Sequence, residues 1–218
     1  MTDRLLTTLP RRFVLPLLAA ATTMLAALPA LAIDASTPDG LIRQLATETL
    51  DAVKTDKAIQ AGDMGKIQGL VEAKLLPHVD FKRLTSSAVG RYWRQATPEQ
   101  QDRIQKEFRT LLMRTYAGAL SQVKDHKLAM LPLRAAADET EVVVRTQVRG
   151  KGDPIQLDYR LAKTTTSPAV WQIYDMNVLG IWLGDQYRSS FAQEIGANGI
   201  DGLIKSLAEK NAGKPAGK

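Results

Sequence analysis

Side chains able to do acid–base, nucleophilic or metal chemistry are few and scattered in this sequence. It holds no cysteine and two histidines, His78 and His126. Each histidine falls near the end of an expected element in polar surroundings. Neither has a companion at metal-ligand spacing, so both read as surface residues and no metal site is implied. The serines and threonines lack a nucleophile-elbow motif, and Gly62, Gly65 and Gly69 lie in a helical region without a phosphate-loop pattern. Asp175 is different, because it interrupts Trp171 to Leu179, a run otherwise apolar enough for a buried strand. A carboxylate there either serves as a general base or is held by Arg188 or by backbone donors, and the structural role is the preferred reading. No enzyme activity and no cofactor are expected.

The elements that must position these residues centre on Trp171 to Phe191. The first half of this stretch alternates as a strand, with Val170, Tyr174, Met176 and Val178 on one face and Trp171, Ile173 and Leu179 on the other. After Gly180 and Gly184 the period changes. Leu183, Tyr187, Phe191 and Ile195 recur every fourth position, a helix for which Gly196 supplies a C-terminal stop. Upstream, Ser36-Thr37-Pro38-Asp39 opens a first helix that carries Ile42, Leu45, Leu50 and Val53. Ile67, Leu70, Val71 and Leu75 mark a second, stopped before Pro77. Asp80 caps a short third helix that ends at Gly90. Thr97-Pro98-Glu99-Gln100 is a capping box opening a long helix to about Val123, with Ile104, Phe108, Leu112 and Tyr116 on its apolar stripe. Lys127–Leu133, Glu141–Arg149, Ile155–Leu161 and Trp171–Leu179 then make a four-stranded antiparallel meander. Ile200, Leu203, Ile204 and Leu207 form a last helix after Asn198-Gly199. The fold class is therefore α+β, a four-stranded antiparallel sheet packed with about six or seven helices.

At 218 residues, 44% hydrophobic and 24% charged, the chain has the composition of a single globular domain. Its first 32 residues stand apart. Arg4, Arg11 and Arg12 precede a charge-free run from Phe13 to Leu28 and the small-residue site Ala30-Leu31-Ala32, the pattern of a cleaved secretory signal peptide. A retained anchor would need about 20 apolar residues, and this run is shorter and broken by Pro16. The general secretory route is the expectation, with Arg11-Arg12 the pair a twin-arginine route would use. Residues 33–211 form the expected mature domain and 212–218 a flexible tail. The formal charge of +6 loses its apparent meaning on this division. The first 32 residues account for two of those charges and the stretch from Lys205 onward for three, leaving +1 on residues 33–204. That is no basic face for nucleic acid.

Two blocks carry a resemblance. Leu76-Pro77-His78-Val79-Asp80-Phe81, Val89-Gly90-Arg91-Tyr92-Trp93-Arg94-Gln95-Ala96-Thr97-Pro98-Glu99-Gln100 and Arg114-Thr115-Tyr116-Ala117 resemble the MlaC family, the toluene-tolerance auxiliary components. So do Trp171-Gln172-Ile173-Tyr174-Asp175, Gly180 and Tyr187-Arg188-Ser189-Ser190-Phe191. The resemblance runs from about Leu41 to Leu207, with Trp93, Asp175, Gly180, Tyr187, Arg188 and Phe191 as its motif residues. It departs at Leu179 and Trp182, where the family often has an acidic residue before the glycine and a serine soon after.

The resemblance implies a periplasmic carrier that holds phospholipid in an apolar cavity between sheet and helices. It also implies two kinds of partner, an inner-membrane ABC transporter complex with an MCE-domain protein and an outer-membrane lipoprotein–porin complex, between which lipid moves to maintain outer-membrane asymmetry. A hopanoid or other lipid is the alternative cargo, and a secreted enzyme using Asp175 the alternative class. Alternation and helical phase place Val144, Val148, Leu157, Tyr159 and Leu161 on the inward sheet face, opposite Phe108, Leu112 and Tyr116 of the long helix. These eight are the expected cavity residues.

Overall fold

The structure is a computed structural model that describes residues 35–136 and 138–213. The signal-peptide expectation and most of the tail fall outside the described residues. Helix α1 (Pro38–Thr55) starts where Thr37 accepts a hydrogen bond from the Gly40 amide, and it buries Leu41, Ile42, Leu45, Leu50 and Val53. Asp56 and Asp63 cap two short helices in the same way, α2 (Lys57–Gln60) and α3 (Met64–Leu70). The expected second helix does not run regularly to Leu75. It widens into a π turn over Val71–Leu75 and tightens into a 3₁₀ turn over Leu76–His78, where Pro77 removes a backbone donor.

Helix α4 (Phe81–Val89) has the expected ends, with the Asp80 carboxylate accepting from the Arg83 amide at 2.9 Å and Gly90 leaving at φ 63°. A 3₁₀ run, Gly90–Gln95, leads to α5 (Pro98–Gln122). There Thr97 and Gln100 exchange the two capping-box hydrogen bonds at 3.0 and 3.2 Å. Helix α6 (Leu183–Ala212) closes the chain. It passes through Gly196, the expected stop, and breaks instead at Gly199, whose φ of 73° and ψ of −179° lie outside the helical region.

The sheet is an antiparallel meander in the order β1 (Lys127–Met130), β2 (Glu141–Arg149), β3 (Ile155–Lys163), β4 (Trp171–Val178), β5 (Ile181–Trp182). It has five strands where four were expected, because the chain doubles back at Leu179-Gly180 before entering α6. The remaining edge of β4 is covered by other backbone: the Trp171 amide donates to the Ala35 carbonyl and the Asp80 amide to that of Ile173. Burial along β2 follows the expected alternation.

Burial alternates along β4 too, but its pairing with β3 is irregular. Arg160 pairs with Asp175 but its neighbour Leu161 pairs with Ile173, so Tyr174 is an extra residue, a β-bulge. The bulge reverses the phase of the strand. Ile173, Met176 and Val178 thereby share the face of their partners Leu161, Tyr159 and Leu157, rather than dividing between two faces as simple alternation predicts. Tyr174 itself donates to Glu141 at 2.9 Å and lies under the Arg83 guanidinium, 3.5 Å from its ring centroid.

The β4–β5 turn carries a strained residue. Leu179 has φ 52° and is 67% exposed, beside Gly180 at φ 90°, whose amide donates to Asn177 Oδ1 at 2.8 Å. Two-residue turns of this kind favour Asn or Gly, since a larger L side chain in the left-handed region costs about 1–2 kcal/mol. Leu179→Asn should therefore raise stability by about 1 kcal/mol, read as a higher midpoint in thermal or urea unfolding; an unchanged or lower midpoint would contradict the strain.

Candidate functional site

Between α1, the π turn, α5 and the inward sheet face lies an apolar cavity of about 340 Å³. Its long wall is α5, through Leu112, Tyr116 and Leu120. Leu45 and Leu50 of α1 and Val71 and Leu75 of the π turn face that wall, and the floor is sheet. Five of the expected cavity residues line it: Leu112, Tyr116, Val148, Leu157 and Tyr159. The other three belong to packed cores. Phe108 is fully buried one turn before Leu112, with ring centroids of Phe81, Tyr187 and Phe191 at 5.9, 4.9 and 5.2 Å. Val144 and Leu161 are covered by Leu41, Ile42 and Leu45, because the first half of α1 rests on that end of the sheet. Sequence reasoning missed the contribution of α1 and of the π turn, and also Met176 and Val178. Their apolar spacing was visible, but not the bulge that turns those two strand residues inward.

The two tyrosines and the acid on the wall are held rather than free. Burial pushes the Tyr159 phenol up to about 12, opposed by a hydrogen bond with Thr146, so it stays protonated. The Tyr116 phenol is also raised by burial and donates to Gln186 at 3.1 Å. Asp175, 3% exposed, accepts from the Met176 and Gly184 amides at 2.9 and 3.1 Å through Oδ1 and from Arg160 at 2.9 Å through Oδ2. Burial raises its carboxyl, and the two amides and then Arg160 oppose that shift. Its expected partner is corrected: Arg188 instead lies 3.5 Å from Asp185 and donates to the Ser87 carbonyl. Asp175 thus ties the first turn of α6 to β4. Gly184 permits the approach, since a Cβ there would stand 3.3 Å from Asp175 Oδ2.

The remaining motif residues are also framework. Tyr187 and Phe191 meet Phe108 edge to face, Trp93 packs against the α4–α5–α6 core, and Gly180 turns the β4–β5 hairpin. His78 and His126 are half-buried rather than on the open surface, the His126 ring lying directly beneath Gly150. Among the described residues no group of three or more metal-ligating side chains comes together, and no helix is long and apolar enough to cross a membrane.

The family model described as MlaC protein matches residues 43–209. The chain belongs to the MlaC family. It is 28% identical over 179 residues to the toluene tolerance protein ttg2D of Pseudomonas putida, covering 82% of each chain. It is 24% identical over 186 residues to the intermembrane phospholipid transport system binding protein MlaC of Haemophilus influenzae, covering 84% of this chain and 86% of that one. The phospholipid-binding protein of Ralstonia solanacearum, solved in complex with a phospholipid, superposes with a TM-score of 0.76 at 43% identity. That superposition covers 80% of this chain and 96% of the other.

Proposed function

We propose that the protein is a periplasmic phospholipid carrier that exchanges lipid with an outer-membrane lipoprotein–porin complex and an inner-membrane ABC transporter complex containing an MCE-domain protein. The observation that carries this reading is the apolar cavity between α1, α5 and the sheet, which falls in the size range of ligand pockets. The Ralstonia relative that shares the fold was solved with phospholipid bound, which supports the same class of cargo.

The physics of transfer favours such an interior. At about 0.8 kcal/mol per CH₂, two acyl chains of roughly thirty methylenes cost on the order of 20 kcal/mol to expose to water, so free lipid does not cross an aqueous gap. A carrier that exchanges one apolar surrounding for another faces no such barrier. Its affinity relative to a membrane stays modest, and a partner that prefers one loading state sets the outcome.

Native mass spectrometry of the purified protein, followed by lipid extraction, tests the reading. Phospholipid at defined stoichiometry is the expected result. Protein that emerges empty under gentle conditions, and fails to take lipid from vesicles, would refute it.

A further inference from the structure

Beside the cavity, at the middle of α5, a groove of about 650 Å³ lies between α3 and α5, and Leu76, Arg109 and Met113 line both. The two compartments differ in kind. The cavity is hydrocarbon-like, whereas the groove carries Lys106, Arg109 and Arg114 with Glu72 and Asp102. Most of those charges are already engaged: Glu72 accepts from Gln68, Asp102 accepts from Gln105, and Arg114 donates to the Gly213 carbonyl. Arg109 is not. Its guanidinium lies 5.2 Å from the ring centroid of Phe81, a cavity-wall residue on α4, and among the described residues it has no carboxylate partner. Lys106, one turn earlier on α5, opens onto the same groove.

We propose that Arg109, assisted by Lys106, binds the phosphodiester of a phospholipid whose acyl chains occupy the cavity, so that the headgroup lies in the α3–α5 groove. This rests on the carrier reading. A guanidinium suits the place on two counts. Its face stacks on an aromatic ring while its edge presents several N–H donors to a phosphate, and it stays charged at a partly desolvated boundary where an ammonium is more readily neutralised. The lipid's own division into hydrocarbon and anion matches the division between cavity and groove. Entry is thereby oriented, chains first past Leu76 and Met113 with the phosphate stopping at Arg109.

The test compares binding of a fluorescently labelled phosphatidylglycerol and of the diacylglycerol with the same chains to the wild-type protein, Arg109→Ala and Arg109→Lys. Wild type is expected to prefer the phospholipid. Arg109→Ala should weaken phospholipid binding about tenfold, the loss of a charge-assisted hydrogen bond, and leave diacylglycerol unchanged, with Arg109→Lys intermediate. Inorganic phosphate at millimolar concentration should displace neither lipid. Equal loss for both lipids, or no loss for either, would overturn the phosphate role while leaving the carrier reading intact. Displacement of phospholipid by inorganic phosphate would make this a site for the free anion instead. Failure of wild type to bind either lipid would remove both readings together. Arg109 is exposed and outside the three packed clusters, so its variants are expected to fold, which circular dichroism checks.

Discussion

Asp175→Ala is expected to destabilise the protein by about 3 kcal/mol while Asp175→Asn costs roughly half as much. The alanine variant leaves the Met176 and Gly184 amides without an acceptor and strips Arg160 of its nearest carboxylate. A fully buried pair broken in this way typically costs about 3–5 kcal/mol. Here the guanidinium side chain is 32% exposed and has Asp185 at 3.8 Å, so it recovers hydration and a second partner and the low end applies. Asparagine keeps one oxygen as acceptor for the two amides but then turns its NH₂ toward Arg160. Urea unfolding measures both values. The pair also separates the two roles weighed for this acid. If Asp175 only ties α6 to β4, lipid uptake by the folded asparagine variant stays close to wild type. A folded Asn variant with its secondary structure intact and uptake abolished would show that the carboxylate acts on the cargo directly.

The Asp175 anchor is partly legible in the sequence. Asp175 stands out in sequence because an acid in an apolar strand needs partners, and backbone donors were among those named. The identity of its arginine was not legible. Arg188 is near in sequence, but cross-strand register chooses Arg160, and register at that point depends on the bulge at Tyr174. Local signals fared better than relational ones. The Asp80 and Gly90 ends of α4 and the Thr97–Gln100 capping box satisfy their own backbone groups within four residues, so the sequence specifies them without reference to the rest of the fold. Gly196 and Gly199 show the limit of that argument. Both are acceptable stops, and what distinguishes them is which turn of α6 must change direction for Leu203, Ile204 and Leu207 to reach the core shared with α4 and α5. The two-residue strand β5 was hidden for a related reason. Its turn uses Leu179 where Asn or Gly would announce a hairpin.

Helical phase alone put Phe108, Leu112 and Tyr116 on one face of α5, and the structure separates them by depth along that face. The separation predicts opposite outcomes for two substitutions four residues apart. Phe108→Ala removes a ring held among three others and should cost about 3–5 kcal/mol, because the surrounding helices cannot collapse into the space left. Leu112→Trp adds atoms, which in a packed core would cost about 1–3 kcal/mol. On the cavity wall the added ring enters empty space, so the unfolding midpoint is expected to hold or rise while the volume open to an acyl chain shrinks. Lipid recovered per protein by extraction should then fall well below that of wild type. A Leu112→Trp protein destabilised by more than about 1 kcal/mol would mean the wall is packed in solution, and undiminished lipid in a folded variant would mean that the chains lie elsewhere. With unfolding measured on delipidated protein, so that lost lipid does not itself lower the midpoint, the two measurements fail independently: stability reports whether the space exists and lipid content reports whether the cargo uses it.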